Sequence, residues 1–217
     1  MNSQPPKNTN KTIVSTPKTS DPRSITQLDK HTTTGNNNKS STTEERTTTI
    51  ILGDSHARHL AVKMKNTTAL VNPGRPAEYF DTSIVKNYDK VILLAGSNNI
   101  PSKDTPEEIN QKISNTIASI KSVNPTCKLF VQSVLPRHDI IRSFKISQVN
   151  TLLKTTCDLH DATLMQTPVL QRHNFTRHGL HLNNTGKIKL ARSLSSYVEE
   201  DTSASPAASS DSPFLCT

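Results

Sequence analysis

Residues 90–96 read "KVILLAG". The apolar run Val91–Ala95 leaves no polar face for water, so it is expected to be a strand covered on both sides, as strands of parallel sheets are. It runs through Gly96 into "SNN" (97–99), and "TPEEINQKISNTIASIKSV" (105–123) follows. There Thr105 is placed to cap a helix, Pro106 suits its first position, and Glu108 completes a Thr-x-x-Glu capping box. Ile109, Ile113, Ile117 and Ile120 recur at helical spacing on one face. A buried strand followed by an amphipathic helix is the unit from which sheets with helices on both faces are built.

The same unit recurs outward from this stretch. Upstream, "TTTIILG" (48–53) reads as a buried strand, "SHARHLAVKMK" (55–65) as a helix, and "ALV" (69–71) as a short strand closed by the turn "NPG". Downstream, "CKLFVQSV" (127–134) is a strand and "SFKISQVNTLLKTTCDLH" (143–160) a helix with Ile146, Val149, Leu152 and Leu153 inward. "ATLMQ" (162–166) gives a fifth strand and "TGKIKLARSLSSYVEE" (185–200) a closing helix. Five strands, four of them followed by a helix, predict an α/β domain, a three-layer α/β/α sandwich around a five-stranded parallel sheet.

Composition sets the limits of that domain. Residues 1–46 are rich in Thr, Ser, Asn, Lys and Pro, with few large apolar side chains, and 201–217 are similar. Such segments cannot bury enough apolar surface to offset their ordering entropy, so both are expected to be disordered tails around a domain at 47–200. Over 48–200 there are 19 Lys and Arg against 12 Asp and Glu, a charge of +7. A basic surface points to polyanions, RNA first among them, although scattered lysines on an ordinary soluble protein read equally well. Cys127, Cys157 and Cys216 have no paired or metal-type spacing. With no leader and no apolar run long enough for a membrane span, an intracellular, cytoplasmic chain without cofactor is expected.

In parallel α/β sheets function gathers at the carboxyl ends of the strands. There the sequence places Ser55 in "GDS", Gly74 in "NPGR" and Asn98 in "GSNN", and His181 on the loop before the last helix. A serine at a helix start meets unpaired backbone N–H groups, and a glycine lets another N–H approach a ligand closely. Asn98 offers an amide donor and His181 a base. A nucleophile, oxyanion donors and a base are the parts acyl transfer requires. Each alone has a plainer reading: a helix cap for "GDS" and Asn98, a turn for Gly74, a core histidine for His181. Arg75 and Arg137, also at strand ends, are candidates for binding an anionic substrate group, or simply solvated loop arginines. His173, His178 and His181 lack the partners and spacing of a metal site.

Taken in order, "ILGDSHARHL", "NPGR", "LLAGSNN" and "HGLHLNNTGK" resemble the four sequence blocks of the SGNH, or GDSL-like, hydrolase superfamily, from residue 50 to 198. Within it the chain looks most like esterase-like domains of invertebrate genomes and of LINE retrotransposon first-reading-frame proteins. The resemblance implies a flavodoxin-like sandwich that hydrolyses small acyl esters through an acyl-serine. Ser55 would be the nucleophile and His181 the base. The N–H groups of Ser55 and Gly74, with the Asn98 amide, would form the oxyanion hole.

One position departs from the pattern. The superfamily's last block is Asp-x-x-His, and this chain reads His178-Gly179-Leu180-His181. In a serine-protease triad, replacing the acid by its amide lowers turnover by about 10⁴, roughly 5–6 kcal/mol of barrier. His178 in the acid's place, a backbone carbonyl, or a bare Ser–His dyad are the options left. Asp139 lies near the active edge, Asp161 at the opposite end of the sheet, and Asp54 is expected to brace the turn. His56 and His59 are expected to face outward or line the cleft rim. The alternative is an SGNH-like module with weak catalysis that binds RNA or serves a retrotransposon ribonucleoprotein.

Overall fold

The computed structural model describes residues 48–140 and 143–203, all within one compact unit. The predicted tail 1–46 lies outside the described residues, as does 204–217 of the predicted tail 201–217, whose residues 201–203 instead continue the last helix. Five strands form the sheet: β1 (Thr49–Gly53), β2 (Thr67–Val71), β3 (Lys90–Leu94), β4 (Lys128–Gln132) and β5 (Ala162–Met165). All neighbours pair in parallel, in the order β2-β1-β3-β4-β5. That is the flavodoxin-like order, with its topological switch between β1 and β3.

Alternation along the strands sends side chains to two separate cores. Ile50, Leu52, Val91, Leu93, Leu129 and Val131 face α1 (Pro106–Val123) and α2 (Ser143–Leu159). Ile51, Ile92, Leu94, Phe130 and Met165 face α3 (Asn184–Ser203) through Leu190, Ala191 and Leu194. The three-layer sandwich is therefore as read from the sequence. The capping box of α1 is present, with Glu108 N–H donating to Thr105 Oγ1 and Thr105 N–H to Glu108 Oε2. Its four isoleucines are all buried. On α2, Ile146, Val149 and Leu153 are buried and Leu152 is half-buried.

The helix expected after β1 does not form. Instead there are two 3₁₀ turns, Ser55–Ala57 and Ala61–Lys63, separated by His59 at φ 62°. A left-handed residue ends helical hydrogen bonding, so apolar spacing across this segment could not sustain an α-helix. The consequence for function is that Ser55 stands on a tight single turn.

The start of α3 explains one glycine. A Cβ on Gly186 would lie 2.2 Å from the Asn174 carbonyl oxygen, because the first turn of α3 is pressed against the loop that carries His181. Gly186→Ala must push helix and loop apart. We expect it to destabilise the domain by about 1–3 kcal/mol, read as a lower urea midpoint with unchanged slope.

Candidate active site

Ser55 follows β1 at the switch point. Asp54, 3 % exposed, caps the turn: its Oδ1 accepts the His56 N–H at 2.8 Å, and its own N–H donates to the Leu94 carbonyl at 3.1 Å. Bracing by Asp54 was the sequence expectation. Ser55 Oγ lies 3.2 Å from His181 Nδ1, across 126 residues of chain. For that nitrogen to take the serine proton it must be bare, with the ring hydrogen on Nε2.

The oxyanion donors expected from the sequence lie on the loops after β1, β2 and β3. Neither the Ser55 nor the Gly74 backbone N–H donates to another group among the described residues. Gly74 sits at φ 72° on an exposed turn closed by Arg75 N–H to the Asn72 carbonyl. Asn98 Nδ2 donates to the Arg75 carbonyl at 3.1 Å, tying the loop after β3 to the Gly74 turn and leaving its second hydrogen to donate elsewhere. Next to it, buried Asn99 accepts from Ala77 N–H and donates to Glu78, which fixes the loop on its other side.

Arg137 stands differently from the substrate-binding role expected of it. Its side chain is only 6 % exposed, donates to the Ser97 carbonyl at 2.7 Å, and pairs with Asp139 through two hydrogen bonds. Its charge is already matched, so it braces the asparagine loop instead of offering itself to an anion. Arg75 is exposed, and its guanidinium makes no ion pair among the described residues. Asp161 is on a left-handed residue beside Lys121, far from the site in the fold as expected.

His178 does not approach His181 as a triad acid would. Its exposed ring makes no hydrogen bond or ion pair among the described residues. His56, expected to face outward or line the cleft rim, is instead buried, 2 % exposed, with Nδ1 2.9 Å from Asp54 Oδ1 and Nε2 2.9 Å from the Leu180 carbonyl. Nothing in its spacing could have given this away, because the 3₁₀ turn rotates position 56 inward where a regular helix would not. No group of three or more His, Cys, Asp or Glu side chains among the described residues is placed to hold a metal.

Electrostatics separate the two histidines. Partial burial holds the His181 imidazole below its ordinary value of 6.5, and the His56 and Arg58 charges add to this. Burial alone would lower His56 too, but the Asp54 hydrogen bond and charge and the Leu180 carbonyl outweigh it, and its value is raised. Around the mouth, Arg58, Lys63 and Lys187 form no side-chain ion pair among the described residues, and their mutual repulsion adds to burial in lowering Lys187. The rim beside His181 is therefore electropositive.

No protein-family model and no curated protein sequence matches the chain. Solved structures do. A carbohydrate esterase family 3 protein from Talaromyces cellulolyticus superposes with a TM-score of 0.60 at 13% identity, over 73% of this chain and 100% of that one. A family 3 carbohydrate esterase from Clostridium thermocellum gives 0.57 at 17% identity, over 72% and 98%. The lipase/acylhydrolase from Enterococcus faecalis gives 0.57 at 13% identity, over 71% and 96%. The fold is that of the SGNH hydrolases. On an SGNH sheet, Ser55 after β1 and Asn98 after β3 flank the switch point, and His181 reaches it from the loop before α3. Among the described residues no helix is long and apolar enough to cross a membrane.

Proposed function

We propose that the protein is a serine ester hydrolase that cleaves small acyl esters through an acyl-Ser55 intermediate, with a Ser–His dyad in place of a triad. The single observation that carries this reading is the 3.2 Å approach of Ser55 Oγ to His181 Nδ1. His181 Nδ1 takes the serine proton as Oγ attacks the ester carbonyl. The developing oxyanion is met by the Ser55 and Gly74 N–H groups and by Asn98 Nδ2. Collapse expels the alcohol, which receives the proton from His181, and water then repeats the sequence to release the acid. SGNH-fold neighbours that are themselves esterases support the same chemistry. The narrower kinship with invertebrate and LINE-encoded esterase-like domains belongs to this reading, as does a cytoplasmic location.

Because protonation of His181 is held below its ordinary 6.5, the base is free at neutral pH. Activity needs the neutral ring, so kcat/KM for the wild type should fall on an acid limb whose midpoint lies below 6.5. An acid limb at or above that value would contradict the electrostatics of the site.

The proposal is tested by hydrolysis of p-nitrophenyl acetate, and of longer acyl esters, by wild type beside Ser55→Ala, His181→Ala and His178→Ala. Loss in the first two with His178→Ala within about threefold of wild type is expected, since His178 bonds to nothing in the site. Wild-type rates equal to Ser55→Ala across the series would overturn the reading. The unpaired cations at Arg58, Lys63 and Lys187 favour one second reading, binding of a polyanion such as RNA at the same mouth. Salt-sensitive RNA binding by an inactive wild type, weakened by Arg58→Ala, would establish that alternative instead.

A further inference from the structure

His56 is placed at the floor of the site and does nothing in the chemistry described so far. Its two ring nitrogens meet two acceptors, the Asp54 carboxylate and the Leu180 carbonyl, each at 2.9 Å. Asp54 Oδ1 also accepts the His56 backbone N–H at 2.8 Å. A carbonyl oxygen and a carboxylate oxygen have no hydrogen to give. A neutral ring would set a bare nitrogen against one of them, buried, at the cost of an unmade hydrogen bond. With Asp54 as a carboxylate, the geometry therefore calls for hydrogen on both nitrogens, which makes His56 an imidazolium paired with Asp54.

Leu180 directly precedes His181, and three successive carbonyls of this loop are held. Gly179 accepts from the His138 N–H at 2.9 Å, Leu180 from His56 Nε2, and His181 from the Thr176 N–H at 2.7 Å. Two of these anchors are backbone groups, and a substitution cannot remove them. The middle one is a side chain tied to the same turn that carries Ser55, so nucleophile and base share one support.

We propose that His56 is a positioning residue: a buried imidazolium that clamps the Leu180 carbonyl to the Asp54 carboxylate and so holds His181 against Ser55 in a chain without a triad acid. The catalytic half of this statement rests on the ester-hydrolase reading; the clamp itself does not. The charged groups that face His56 are Asp54 on its own turn, Arg137 from the loop after β4, and His181, whose ring centroid is 6.1 Å away. The clamp acts on His181 in two ways. It fixes the backbone from which the ring projects, and its charge opposes a second charge on His181, keeping the base neutral. The raised value of His56 means its contribution to stability is full below pH 6.5 and is lost as pH rises through the folded value.

The test uses the full chain as wild type, His56→Gln and Asp54→Asn. Gln keeps a donor without charge, and Asn keeps the Oδ1 acceptor while removing the charge that holds His56 protonated. In wild type, imidazole nitrogen NMR should show both His56 nitrogens protonated above its ordinary 6.5, with His181 titrating below that value. In His56→Gln the His181 titration should move upward, because the charge that lowers it is gone; Asp54→Asn also removes a carboxylate that raises it, so that variant is read by kcat. In both variants kcat should fall by about tenfold or more with KM within about twofold, since orientation in the transition state is lost and substrate binding is not. A wild-type His56 with one bare nitrogen at neutral pH would overturn the clamp. Variants that keep wild-type kcat and His181 titration would overturn its catalytic role. Should the wild type turn over no ester, the hydrolase reading fails while the NMR still decides the clamp. Should His56→Gln lose its dispersed amide spectrum, Asp54→Asn carries the comparison.

Discussion

Ser55→Ala is expected to lower kcat for ester hydrolysis by at least about 10². The size follows from two magnitudes. Removing the nucleophile from a complete serine triad costs about 10⁶ in kcat, and a triad whose acid has become an amide is already about 10⁴ slower. If the missing acid costs this chain as much, about 10² remains for Ser55 to lose. In the protease case much of the penalty reflects a ring locked in the wrong tautomer. Here no hydrogen bond to His181 Nε2 exists among the described residues to impose one, so the loss on removing Ser55 should exceed that floor. His181→Ala should cost the same within a few fold, and Ser55→Ala/His181→Ala no more than either alone, because the two act as one unit. Steady-state rates of the three variants check this. An additive double mutant would mean that the residues 3.2 Å apart do not share a step.

Asn98→Ala is the second large effect expected. A preorganised side-chain donor to a developing oxyanion is worth about 10²–10³ in kcat, with KM little changed, because the donor meets charge only in the transition state. Asn98 is held by its bond to the Arg75 carbonyl, and its loop by Arg137 on the Ser97 carbonyl and by Asn99 on Ala77 and Glu78. Asn98→Asp keeps the shape but replaces the donor by an acceptor, both toward the oxyanion and toward the Arg75 carbonyl, so it should be at least as damaging as alanine to kcat. An Asn98→Ala variant with kcat within threefold of wild type would remove this side chain from the oxyanion hole.

How legible all this was varies with the physics involved. Strands such as β3 declare themselves because burial on both faces leaves Val91–Leu94 all apolar, and α1 does so because its capping box and isoleucine spacing agree. The segment 55–65 misled because its apolar residues sit at helical spacing while His59 takes a left-handed backbone, which sequence spacing does not encode. Ser55 and His181 could be singled out as residues at strand ends, and the fold brings them together. Arg137 and His56 could not be read in the same way. A strand-end arginine looks the same whether it awaits an anion or is already paired with Asp139, and only the folded backbone supplies the Ser97 and Leu180 carbonyls that define both roles. His178 illustrates the converse: a position singled out by a pattern, whose ring makes no hydrogen bond or ion pair among the described residues.

The most direct measurement is the intact mass of the wild-type protein quenched during turnover of p-nitrophenyl acetate, followed by peptide mapping beside Ser55→Ala. One acetyl group per chain is expected, located on Ser55, absent from the variant and decaying on removal of substrate. No adduct, or an adduct on a lysine that persists equally in Ser55→Ala, would contradict an acyl-serine enzyme.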